Sequence, residues 1–281
     1  MAGNSVNGIG NFSNLAFNQV PDSDNRIHSD EMAAAYGYTG ALVPGVTQSA
    51  YLIHPAIEAW GMEWLERGYA HVTIKAPLYD EDRFEVTTTA GEGAYAAQLT
   101  SAGRLCSIAD VRLPEQTENA PLYQGHGFLD DGYEAPAATR ANMERLQASG
   151  CLAKRFRWSA DVSMAAYLRD PEGMPALLRT HGTPDAAGYA NMAFLLGLAN
   201  RHFAAVATMN PWIHLETRSW NHQPVALGAG LISEMVITDL FERKGHEFAD
   251  CRFEVFRADT RECVCSIEQR AIYRVRPPAR T

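Results

Sequence analysis

The sequence predicts an α+β protein made of two similar halves, each a long buried helix wrapped by an antiparallel sheet. Three observations carry this. Two segments, 45–67 (GVTQSAYLIHPAIEAWGMEWLER) and about 185–209 (DAAGYANMAFLLGLANRHFAAVATM), are apolar nearly all round, the mark of a buried rather than a surface helix. Each is followed by four runs of alternating or β-branched residues. Between the two sets lies a stretch rich in Pro, Gly and acids, residues 114–139. Strands that follow one another beside a single helix argue for α+β rather than alternating βαβ units.

The elements follow in order. Pro55 is expected to kink the first helix. The strands after it are expected at 70–79, 82–93, 94–103 and 104–113, and those after the second helix at 212–220, 226–243, 246–258 and 261–275. The turn Arg257–Thr260 suits an antiparallel hairpin. The repeat sets Val72 beside Ile213 and Gly45 beside Gly188, so the chain divides into a first repeat at 1–113, a linker at 114–139 and a second repeat at 140–281. Side by side, the two repeats can join their sheets and remove two open edges.

With 281 residues and 46% apolar content the chain can bury a substantial core. Its net charge of −9 argues against a nucleic-acid partner. The charge is uneven, −11 over residues 1–140 and +2 over 141–281. No apolar run reaches the ~18 residues of a membrane span, and the first residues lack an export signal's basic and apolar blocks. Cys106, Cys151, Cys251, Cys263 and Cys265 do not form a disulfide or metal-binding pattern and suit a reducing cytoplasm. Cys263 and Cys265, flanking Val264 in a strand, are expected on one sheet face. The glycines match no phosphate-binding loop.

The chemistry-bearing stretch is 21–45, PDSDNRIHSDEMAAAYGYTGALVPG. His28 supplies an imidazole in a polar loop, with Asp22, Asp24 and Asp30 close in sequence. Ser29 or Asp30 is expected to cap a short helix ending at Gly37. Gly45 opens the buried helix, whose free N–H groups favour a developing oxyanion; glycine there lets a substrate oxygen approach the backbone. Together these are the parts of an acid–base site for moving water across a C=C conjugated to a carbonyl.

The run N-R-I-H-S-D followed by A-x-x-Y-G-Y-x-G-A-L-V-P-G resembles the MaoC-like (R)-specific enoyl-CoA hydratases. That resemblance implies a double hot-dog fold and a hydratase or dehydratase of enoyl or 3-hydroxyacyl thioesters, a lyase of fatty acid metabolism. The substrate would be a small-molecule acyl thioester, acyl-CoA by preference, with no metal and no redox cofactor; a homodimer is compatible with it. His28 falls on the family's catalytic histidine, Asn25 on the motif asparagine and Gly45 on the glycine that polarises the thioester carbonyl. The family's aspartate position is Ser23 here, flanked by Asp22 and Asp24, either of which would have to act; Arg26 replaces a proline. Gln48, one turn into the helix, is a further polar contact for substrate or a buried amide bonded to backbone. No N-x-x-H motif precedes the second helix, where Pro171 holds the position matching His28 and His181-Gly182 stands alone, so one site is expected, in the first repeat. Two rival readings are a hot-dog thioesterase, for which Glu58 is the first acid of the helix, and a catalytically silent thioester-binding subunit, which Ser23 would suit.

Overall fold

Residues 8–21, 25, 39–116, 119–181 and 187–276 are described by the computed structural model of the chain. Strand β1 (Phe12–Leu15) precedes helix α1 (Gly45–Arg67) and strands β2 (Tyr69–Ile74), β3 (Arg83–Gly91), β4 (Ala94–Ser101) and β5 (Arg104–Arg112). Then come α2 (Arg140–Ser149), β6 (Lys154–Arg157), α3 (Met192–Val206), β7 (Ile213–Asn221), β8 (Gly230–Arg243), β9 (His246–Arg257) and β10 (Cys263–Arg274). The strands form one sheet in the order β1-β3-β4-β5-β2-β7-β10-β9-β8-β6, antiparallel throughout.

The expected pattern of one helix and four strands, twice over, is therefore present, and the two sets of strands do merge. The seam is β2 against β7, from Tyr69↔Trp220 to Thr73↔Glu216. Alternation on the strands sends Phe84, Val86, Leu99 and Val111 inward, onto Tyr51, Leu52 and Ile53 of α1; Phe253, Val255 and Ile267 join Phe194 and Leu198 of α3 in the same core. β1, α2 and β6 have no counterpart in the sequence reading, because segments of four strand residues or one mostly polar helix carry little periodicity.

Three local expectations are corrected. The break in α1 falls at Gly61, whose backbone (φ 54°, ψ −127°) leaves the helical region, and not at Pro55. The second helix is shorter than 185–209: Gly188 is left-handed (φ 66°) and lies outside it, and Asn191 caps it at Met192. The match of Gly45 with Gly188 as helix heads thus fails. Cys263 and Cys265 face opposite sides of the sheet, since a bulge at Val264 pairs them with the adjacent residues Phe256 and Val255.

The stretch 114–139 is fastened to the second half where it is described. The buried Glu234 carboxylate accepts the amides of Gln124, Gly125 and His126 at 2.7–2.9 Å. Three backbone donors satisfy a carboxylate that would otherwise be costly to bury.

Candidate active site

The two long helices begin in opposite ways. At α3, Asn191 Oδ1 accepts the Phe194 amide at 3.0 Å while its Nδ2 donates to the carbonyls of Met164 and Ala165, both at 3.0 Å. That end is sealed by protein. At α1, Pro44 occupies the capping position, no side chain caps the helix, and its first turn carries no acid. Among the described residues its positive end meets no side-chain cap and no acid of its own first turn. Thr47 braces this turn, donating to Gln19 Oε1 at 2.5 Å, and the Gln19 amide donates to the Ala166 carbonyl.

In front of the α1 terminus lies a cavity of about 300 Å³, walled by Asn25, Leu42, Val43, Gly45, Gln48, Lys75, Asn200, Trp212 and His214 among others. Both halves of the chain contribute. Gln48 is 2% exposed and its Oε1 has no hydrogen-bond partner among the described residues, so a buried acceptor stands unsatisfied in the wall. Asn25 also lines the cavity, but its carboxamide is engaged at both ends by the main chain of Trp212: Nδ2 donates to the carbonyl at 3.0 Å, and Oδ1 accepts the amide at 3.3 Å. Asn25 is thus tied to Trp212 at the entry of β7.

Gly45 meets an unexpected neighbour. A Cβ at that position would stand 3.1 Å from His214 Cδ2 and 3.3 Å from Cγ. The close approach that glycine permits is to an imidazole of the second half. His214 Nδ1–H donates to Asn200 Oδ1 (3.2 Å) and Nε2 accepts the Thr217 hydroxyl (2.5 Å). Burial pushes its pKa down to about 4, which keeps the ring neutral. Across the sheet from Thr217 is Gln269, buried with both polar side-chain atoms unpartnered.

Sequence reasoning missed His214, Thr217 and Asn200. Residues three apart on a regular strand face opposite ways. Here Leu215 is the extra residue of a bulge, as Arg270 pairs with Glu216 and Ala271 with His214. The bulge turns both His214 and Thr217 inward. The unbroken apolar look of α3 likewise masked Asn200.

Of the predicted site residues, Asn25, Gly45 and Gln48 come together at this cavity. Asp22, Ser23, Asp24 and His28 lie outside the described residues, as do Ser29, Asp30 and the short helix expected to end at Gly37. His181 is described and exposed. Glu58 is thirteen residues beyond Gly45, about 20 Å along the helix. It lies 3.4 Å from His54 Nε2 and lines a separate cavity of about 290 Å³. Among the described residues no cluster of three or more His, Cys, Asp or Glu side chains could hold a metal ion, and no helix is long and apolar enough to cross a membrane.

No protein-family model matches the sequence, and no curated protein matches it. Solved structures do match in fold. A Chloroflexus aurantiacus protein described as a MaoC domain dehydratase is similar over 94% of this chain and 95% of its own, at 9% identity and a TM-score of 0.56. The dehydratase domain of PpsC from Mycobacterium tuberculosis, solved in complex with C12:1-CoA, is similar over 96% of both chains, at 12% identity and a TM-score of 0.53. A further Mycobacterium tuberculosis protein, described as having a double hotdog fold, is similar over 90% of this chain and 89% of its own, at 14% identity and a TM-score of 0.50. The fold of this chain is the double hot-dog.

Proposed function

We propose that the protein is a hydratase or dehydratase that adds water to an enoyl thioester, or removes it from a 3-hydroxyacyl thioester, in the cavity before Gly45. One observation carries the reading: of the N-termini of the two long helices, the one without a side-chain cap opens with a glycine onto a cavity that holds an unsatisfied buried acceptor and the motif's Asn25. An enolate-like oxygen is the anion such a terminus stabilises.

In this reading the thioester carbonyl points at the first amides of α1. His28, three residues after Asn25, and Asp22 or Asp24 hold the water. Its oxygen bonds to C3, a proton goes to C2, and the C=C bond is consumed; dehydration is the reverse. Gln48 Oε1 accepts the hydroxyl hydrogen of that water or of the 3-hydroxyl group. The C=C π bond and one O–H bond of water break as the C3–O and C2–H bonds form, with no net oxidation or reduction, so the reading requires no redox cofactor. The first repeat carries the chemistry and the second shapes the acyl pocket. Five buried, unpaired cysteines suit a cytoplasmic setting.

The test offers enoyl-CoA to the purified protein and follows two signals, the ultraviolet absorbance of the conjugated double bond and release of free thiol. The reading expects absorbance to fall with no thiol appearing. Thiol release would replace it with a thioesterase. Binding without either change would replace it with the silent subunit that Ser23 suits.

A further inference from the structure

A second cavity, of about 580 Å³, adjoins the first and shares Asn25, Asn200 and Trp212 with it. It runs along one face of α3, past Gly197, Asn200, Arg201 and Ala204, to Lys154 on β6. Two cations therefore line it, and among the described residues no carboxylate does.

Cations without an acidic partner among the described residues occur elsewhere too, as at Arg104, Arg112 and Arg155, each over an aromatic ring, but those three do not line this cavity. Arg140, Arg179, Arg218, Arg252, Arg257 and Arg270 each sit within 4 Å of a carboxylate. Among the described residues the side chains of Arg201 and Lys154 make no ion pair or hydrogen bond; both rest on the same aromatic ring, Phe156, with Arg201 Cζ 5.0 Å and Lys154 Nζ 5.9 Å from its centre. Strand alternation explains Lys154. On β6, Arg155 and Arg157 are exposed while Lys154 and Phe156 turn toward the protein. A chain with nine more acids than bases thus aims two cations, with no acidic partner among the described residues, into a recess that shares Asn25, Asn200 and Trp212 with the candidate active site. Such a pair attracts an anion with several acceptor oxygens, and Arg is suited to bind phosphate in a forked geometry.

We propose that Lys154 and Arg201 form an anion subsite that holds a phosphate ester on the arm of the acyl carrier, while the thioester lies in the smaller cavity. The second half of the statement rests on the hydratase reading; the first does not. The phosphate can belong to coenzyme A or to the phosphopantetheine arm of a carrier protein.

The experiment is calorimetric titration of the intact protein with coenzyme A, 4′-phosphopantetheine and pantetheine, repeated on Arg201→Met and Lys154→Met. The subsite predicts that the phosphate-bearing ligands bind at least about tenfold tighter than pantetheine, and that either variant shrinks that ratio toward one. Phosphopantetheine matching coenzyme A assigns the subsite to the arm's own phosphate; coenzyme A alone binding tightly assigns it to the nucleotide's. Equal affinity for pantetheine and coenzyme A in the unaltered protein overturns it, as do variants that keep the full ratio. A kinetic arm compares enoyl-CoA with the enoyl N-acetylcysteamine thioester, which has no phosphate. The subsite predicts a KM ratio favouring enoyl-CoA that collapses in either variant. Turnover of both thioesters at equal KM keeps the hydratase and removes the subsite. No turnover of either, with phosphate-dependent binding intact, removes the hydratase and keeps the subsite.

Discussion

The imidazole of His214 crowds the space in which any residue but glycine at position 45 would carry its Cβ, which would stand 3.1 Å from Cδ2. The ring cannot easily slide away, since Asn200 and Thr217 hold its two nitrogens. The geometry of the α1 terminus is thus set partly from the other half of the chain.

Gly45→Ala should therefore destabilise the protein by ~1–2 kcal/mol, a clash partly offset by alanine's better helix propensity. Adding Thr217→Val releases one side of the ring, so the double variant should lose less than the two singles added together, with a coupling of at least ~0.5 kcal/mol. Urea unfolding of the four proteins measures this. Strict additivity would mean that the ring does not oppose the new methyl group.

His28→Ala should lower turnover ~10²-fold or more with an unchanged thermal midpoint. Asp22→Asn, Ser23→Ala and Asp24→Asn, made one at a time, should single out one acid whose loss matches that of His28. Full activity in His28→Ala would move the chemistry elsewhere.

Gln48 separates stability from activity. Its Oε1 is buried without a partner among the described residues, a standing cost of ~1–3 kcal/mol. Gln48→Leu should leave the protein as stable or up to ~1 kcal/mol more stable, and should slow turnover at least about tenfold. An active Gln48→Leu protein would show that the acceptor serves neither substrate nor water.

Stability should decline in acid. Burial holds His54, His202 and His214 at about 4, below their usual 6.5. Between those values the unfolded chain binds protons that the folded one does not. The stabilisation from neutral imidazoles is complete above pH ~6.5 and is lost as pH falls toward 4, on the order of 3 kcal/mol for each ring. The urea midpoint should be lower at pH 5 than at pH 7.5, and replacing His202 with Gln should flatten the slope. A midpoint that does not move would place these rings in contact with water.

The architecture was readable because it is written in long signals. The bounds of α1 agree with the expected 45–67, and each of the eight long strands has its run of alternation. What escaped depends on single residues acting against a pattern. Gly61 bends α1 where Pro55 was expected to, Asn191 starts at Met192 a helix that was expected from about 185, and bulges at Leu215 and Val264 exchange sheet faces. The site divides the same way. Gly45, Gln48 and Asn25 are linked by a local motif, whereas His214 reaches Gly45 across 169 positions of chain and no local spacing announces that contact.

The order of the sheet has one more effect. With the β2–β7 seam closed, β1 and β6 stand at its rims among the described residues, each four residues long. β6 reads KRFR, and a foreign strand seeking to add there would find a brief, strongly cationic ledge. Both described ends of the sheet are thus short templates for pairing one molecule edge to edge with the next.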